Sequence, residues 1–285
     1  MTEELFREDA TLLHCQATVL AVDEAGIVLD RTVFYPLGGG QAGDAGTLAA
    51  AGGAVLPIVD TRKHKERAGA IAHVPAPGAD LSAFAPGTPV TLQVDAARRR
   101  AHMRFHTATH LLCALVPHPV DGCSITAAYA RLDFHMNEPL DKDALNAGIA
   151  RLVAEAHAVG HRWISEDELD ANPGLVRSMS VQPPRSADGL GRIRVLEIAG
   201  VDLQPCGGTH VANTAEIGAV IITKIEKKSA MTRRGEPGRE GVLEDGFTPG
   251  ERARACKPGR RARLCRAGRQ PGLTALGAGS HRAAM

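Results

Sequence analysis

Apolar and polar positions alternate through the first hundred residues. "CQATVLAV" (15–22), "GIVLD" (26–30), "AIAHV" (70–74) and "VTLQVD" (90–95) are short β-branched or alternating runs between Gly, Pro and Asp, a pattern that predicts strands. Several short strands at this spacing predict a small barrel or sandwich. Around Asp95 the period changes. Residues 99–116 predict a helix that ends at Pro117, and "YARLDFHM" (129–136) predicts a strand. A second helix is expected from Asp141 or Asp143 to about His161, with Leu145, Ile149, Leu152, Val153 and Ala156 along one face. "GRIRVLEI" (191–198) and "GAVIITKIEKK" (218–228) read as further strands. Helices beside an antiparallel set give an α+β half. The fold class expected is therefore α+β, with a β-barrel-like domain over 1–94 and a helix-on-sheet domain over 95–234. From Gly235 to the end the periodicity dissolves into ten glycines with scattered Pro and Arg. That composition predicts a disordered tail over 235–285. Out-of-frame GC-rich coding produces similar text, and a frameshift here would replace a terminal strand.

Composition changes this picture only a little. At 285 residues the chain accommodates two modest domains. No run of about 18 apolar residues could cross a bilayer, and "MTEELFREDATLL" is acidic where a signal peptide is basic and then apolar. A cytoplasmic location is expected. In such a compartment Cys15, Cys113, Cys123, Cys206, Cys256 and Cys265 read as thiols or metal ligands rather than disulfides. The formal charge of +1 is uneven: ten Arg or Lys face five Asp or Glu from Gly235 onward, so the remainder is net acidic. Indiscriminate nucleic-acid binding is thereby disfavoured. Any RNA contact must come from local clusters such as "RRRAHMR" (98–104) or the Lys and Arg of 224–234, each of which also reads as a solvated charged face.

The candidate chemistry lies in "HMRFHTATHLL" (102–112). His106 and His110, four residues apart, project from one face of the predicted helix. Zinc peptidases use that spacing but need a Glu after the first His as base; here that residue is Thr107. A second fragment, "CGGTH", places Cys206 and His210 four residues apart around a flexible Gly-Gly. One sulfur and three nitrogens suit zinc, although a helical His pair alone is more often structural. Four protein ligands would make the ion structural, whereas an open position would make it catalytic. "FYPLGGGQAGDAG" (34–46) is too rich in glycine for a strand interior and lets a ligand or backbone approach closely. No Gly-Lys-Ser or Gly-Lys-Thr follows, so a phosphate-binding P-loop is a poor reading. His14 and His102 read as solvent-facing or satisfied, Cys113 as a core thiol, and Cys123 as a loop residue or part of a pocket wall. Asp133, in "ARLDF", is a candidate to orient a ligand histidine.

"HTATHLL" followed about a hundred residues later by "CGGTH" resembles the editing domain shared by alanyl- and threonyl-tRNA synthetases. "LDRTVFYPLGGGQAGD", "ARLDF" and "DLQPCGGTHVANTAEIG" bring the likeness closest to the free-standing alanyl-tRNA editing proteins of the AlaX type, in their medium-length form. The resemblance runs from about residue 15 to Arg234. It implies a hydrolase that cleaves the ester of tRNA(Ala) mischarged with serine, and in some cases glycine. Its partner would be the tRNA(Ala) acceptor end and its cofactor Zn2+. By the same resemblance His106, His110, Cys206 and His210 are zinc ligands, and Thr32 recognises the serine hydroxyl. Gly38, Gly39, Gly40 and Gln41 then border the substrate, with Thr32 and Gln41 in catalytic roles and Asp133 beside the substrate. Selection of serine over alanine needs a pocket that rewards a hydroxyl with a hydrogen bond. A non-catalytic RNA-binding module with structural zinc is the alternative. A zinc peptidase is disfavoured by Thr107.

Overall fold

Asp95 marks the point where strands give way to helix. Its carboxylate accepts the Arg98 N–H as the cap of a 20-residue helix, α1 (Ala96–Leu115). The computed structural model describes residues 1–186, 190–229 and 231–239. Before α1, two short strands, β1 (Glu3–Glu4) and β4 (Arg31–Thr32), pair in parallel. Six others close a barrel: β2 (His14–Asp23), β3 (Gly26–Leu29), β5 (Gly46–Ala50), β6 (Val55–Lys63), β7 (Ile71–Pro75) and β8 (Pro89–Val94), in the order β2-β3-β7-β6-β5-β8. In β8 every second residue points inward, Val90, Leu92 and Val94, as the period of two requires. They meet Ile27, Leu29, Phe34, Leu48 and Leu56 in one core.

Beyond α1 come β9 (Val120–Ile125), β10 (Ala130–His135), α2 (Lys142–Ala154), β11 (Val159–Ile164) and α3 (Glu166–Ala171). β12 (Ile193–Ile198), β13 (Asp202–Pro205), β14 (Val220–Ser229) and β15 (Thr232–Arg239) follow. They build a four-stranded sheet, β14-β15-β10-β9, and a three-stranded one, β11-β12-β13. α1 is buried on most of its circumference because both sheets and α2 use it. Phe105, Ala108 and Leu111 pack with Ile125, Leu196 and Ile217; Leu112 packs with Leu132, Phe134, Ile149 and Ile222. This arrangement is the expected α+β class. Among the described residues no helix is long and apolar enough to cross a membrane.

Three expectations change. α2 stops at Ala154, not near His161, because Ala156 turns to a positive φ of 55° and the β-prone "VGHRWI" then pairs with β12 over its whole length. Residues 235–239, expected to open a disordered tail, instead complete β15, with Gly235 opposite both Leu132 and Ile225. Residues 240–285, with Cys256 and Cys265, lie outside the described residues. β5 and β6 were not evident from pattern, because Gly and Ala fill β5 and Pro57 interrupts β6.

Candidate metal centre

The 3.6-residue period of α1 does what the spacing of His106 and His110 predicts, placing both imidazoles on one buried face with their rings stacked 5.5 Å apart. The segment after β13 brings Cys206 and His210 to the same point. The four donor atoms all lie within 4.8 Å of one another. Cys206 Sγ is 3.2 Å from His210 Nε2 and 3.6 Å from His106 Nε2. Close approach depends on Gly208, since a Cβ there would stand 2.2 Å from the His106 ring.

Each histidine is held by its other nitrogen. Gln41 Oε1 lies 2.8 Å from His106 Nδ1 and also accepts the Thr209 N–H, while its amide donates to Thr209 Oγ1. Asp202 Oδ2 lies 3.0 Å from His110 Nδ1. Thr107 donates its hydroxyl to Met103 O and presents its oxygen 3.2 Å from His210 Nδ1. These partners are acceptors, so a neutral ring carries its proton on Nδ1 and leaves the Nε2 lone pair for a metal. Burial opposes charge at His110, but Asp202 and Cys206 raise it to about 10, so a metal there displaces a proton. Thr107, where a peptidase would carry its base, therefore orients a ligand. Burial opposes a thiolate at Cys206, yet the charges of His106 and His210 and the hydrogen bonds around it hold its pKa well below the ordinary thiol value. Burial drives His210 down to about 3. A sulfur and three oriented nitrogens with these preferences fit a zinc site.

Three of the four donors, His106, His110 and Cys206, line a cavity of about 460 Å3 shared with Tyr35, Gly38, Gly39, Thr109, Cys123 and Gln204. The glycine-rich segment reaches it by splicing onto β9: Ile125 N donates to Gly40 O and Ala42 N to Ile125 O. Gly40, at φ 83°, does not line the cavity. A Cβ there would stand 2.9 Å from Cys123 O, so this glycine serves the splice rather than the substrate. Gln41, expected in a catalytic role, is fully buried with its Oε1 at 2.8 Å from His106 Nδ1.

Two further expected site residues have their side chains engaged elsewhere. Thr32 lies in the barrel wall, outside the cavity lining. His73 Nδ1 donates to Ile27 O, so its Nε2 accepts the Thr32 hydroxyl at 2.8 Å. Thr32 Oγ1 in turn accepts the Phe34 N–H. Asp133 orients no histidine; its carboxylate is taken by Arg234 at 2.6 and 2.9 Å. The carboxylate that does the orienting is Asp202, which spacing alone did not single out. His102 is fully buried rather than solvent-facing, and neither ring nitrogen has a partner. Cys113 is buried as expected but also lines the cavity, and Cys123 sits in β9 on its wall.

Part of each basic cluster is engaged by the fold, while Arg100, Lys224, Lys227 and Lys228 are exposed. Arg99 is buried against Asp44, with Nε 3.0 Å and Nη2 2.5 Å from Oδ2, which ties α1 to the glycine-rich segment. Arg98 donates to Gly43 O and Arg104 to Ile217 O. Lys224 pairs with Glu226, and Arg234 with Asp133.

A family model described as the threonyl and alanyl tRNA synthetase second additional domain matches residues 193–234, and one described as class II (A) tRNA synthetases matches residues 8–98. The alanyl-tRNA editing protein AlaX-M of Methanosarcina barkeri is 34% identical over 244 residues, covering 82% of this chain and 97% of its own length. That of Methanosarcina mazei is 33% identical over 245 residues, covering 82% of this chain and 95% of its own length. The alanine–tRNA ligase of Methanothermobacter thermautotrophicus is 36% identical over 237 residues; the match covers 79% of this chain and 25% of the ligase.

Proposed function

Because the chain belongs to the AlaX-M family of alanyl-tRNA editing proteins, we propose that its cavity hydrolyses the ester of tRNA(Ala) mischarged with serine, or with glycine, with zinc as cofactor. Editing is deacylation of mischarged tRNA, so the enzyme is an ester hydrolase. The observation that carries the reading is the convergence of three oriented histidines and a cysteine at one point, with His106, His110 and Cys206 on the wall of a cavity. A purely structural ion would have no need to face one.

A zinc ion held by His106, His110, Cys206 and His210 would supply Lewis acidity toward the ester carbonyl if the carbonyl oxygen joins these donors or takes the place of one of them. Gln41, Asp202 and Thr107 keep the three rings in place, so no reorientation is needed during reaction. Water oxygen bonds to the carbonyl carbon, the ester C–O bond breaks, and the ribose oxygen leaves with a proton. Among the described residues no carboxylate lines the cavity. Burial pushes the Cys113 and Cys123 thiols up to about 12 and raises the Tyr35 hydroxyl as well. None of these can act as base at neutral pH. The neighbouring ribose hydroxyl of the substrate is then the group to relay the proton. A site without a protein base suits an ester better than an amide. Thr109 lines the cavity with its hydroxyl hydrogen committed to His106 O at 2.7 Å, which leaves an acceptor for a serine hydroxyl. Alanine offers no donor to it.

Purified protein incubated with Ser-tRNA(Ala) and Ala-tRNA(Ala), with and without a zinc chelator, tests this. Serine should be lost selectively, and chelation should stop the loss until zinc is restored. Equal hydrolysis of both esters would end the specificity claim. Activity that survives complete metal removal would end the cofactor claim.

A further inference from the structure

The cavity carries charge that ester hydrolysis does not use. Among the described residues three cations, Arg7, Lys63 and Arg185, line it and no carboxylate does. Arg185 is engaged by Glu166. The other two are not fully spent. Lys63 ends β6, is exposed, and has no ion pair or hydrogen bond among the described residues. Its Cε lies beside Gly38, 4.0 Å from where a Cβ would stand. Arg7 gives its Nε to Glu4, but its Nη1 is buried without a hydrogen-bond partner. That nitrogen lies against Gly207, 2.8 Å from the position of a Cβ, next to the ligand Cys206. A buried donor left unpaired in a folded protein calls for an acceptor from elsewhere. Tyr35 links the two cations: its ring meets Phe6, the neighbour of Arg7, at 5.4 Å, and its hydroxyl donates to Gly38 O at 2.8 Å.

We propose that Arg7 and Lys63 bind the last phosphodiester of the RNA acceptor end, an inference that rests on the editing reading above. A guanidinium and an ammonium on one wall match the two anionic oxygens of a phosphodiester. The phosphate then anchors the terminal nucleoside and directs its esterified ribose toward the histidines. The cavity therefore selects RNA esters over amino-acid esters of the same acyl group that lack a phosphate.

Binding of cytidylyl-(3′→5′)-adenosine, which has one phosphodiester, is to be compared with adenosine on the full-length zinc-loaded protein. The dinucleotide should bind about tenfold more tightly, and its affinity should fall with salt at a log–log slope of about −0.7. Lys63→Ala and Arg7→Gln should each remove most of that advantage. Both should lower kcat/KM for Ser-tRNA(Ala) about tenfold and lower hydrolysis of 3′-O-seryl-adenosine much less. Lys63 is exposed, so its variant separates binding from folding. Equal affinity for the two ligands, an advantage that survives both substitutions, or equal loss on both esters would overturn the proposal. Dinucleotide binding does not require hydrolysis. A protein that shows the advantage and its loss, yet leaves Ser-tRNA(Ala) intact, would refute the editing reading and uphold this one.

Discussion

The barrel wall and the metal centre both bury histidine, and they use it in opposite ways. His73 is fully buried with both nitrogens committed, Nδ1 to Ile27 O and Nε2 to the Thr32 hydroxyl. His106, His110 and His210 are nearly as buried, but each commits only Nδ1, to Gln41, Asp202 and Thr107. A closed pair of hydrogen bonds makes His73 a structural element. An Nε2 turned toward the Cys206 sulfur leaves the others able to hold a metal. Residue type and burial are shared, so what separates the two roles is the partner on the second nitrogen. His102, with neither nitrogen partnered and its Nδ1 3.8 Å from Asp44 Oδ1, belongs to neither group.

The comparison breaks most visibly if the orienting partners are removed. Asp202→Ala and Gln41→Ala should each weaken zinc binding, and deacylation with it, by about 10- to 100-fold. Metal titration against a competing chelator measures this. Unchanged affinity in both variants would show that the ligands hold their own orientation. The barrel cluster answers to pH instead. Burial lowers His73 to about 4 from 6.5, so between these values the unfolded chain binds a proton that the folded chain refuses. Its contribution to stability is therefore complete above pH 6.5 and is lost as pH falls toward 4, by an amount on the order of 3 kcal/mol. His73→Gln can accept from Thr32 and donate to Ile27 O without titrating. Denaturant midpoints measured from pH 7 to 4 should fall less steeply in that variant; parallel curves would show that His73 is not the group responsible. The smallest effect is expected at Asp133. Asp133→Ala removes the bidentate, part-buried Arg234 pair between β10 and β15, for a loss of about 1–2 kcal/mol. Zinc content should be unchanged, and a drop in it would return Asp133 to the site.

Much of the site can be read from the chain because its parts are local. Two histidines four apart on a helix, and a Cys and a His four apart around Gly-Gly, declare themselves by spacing. The partners that make them useful do not. Asp202 reaches His110 across 92 positions, and Gln41 reaches His106 across 65, and no short-range period encodes such distances. Thr32 and Asp133 illustrate the converse. Both stand in stretches that resemble the family, yet the hydroxyl faces His73 and the carboxylate faces Arg234.

By itself the sequence determined the α+β class, the strands around a helical centre and the four ligand residues, because periodicity and short spacings are properties of contiguous chain. Only the tertiary structure decided which buried histidines keep a free nitrogen, that "GGGQ" is spliced onto β9, and that Arg7 and Lys63 face the same cavity. Those facts depend on where side chains distant in sequence end their hydrogen bonds, and that is settled only when the barrel and the sheets close around α1.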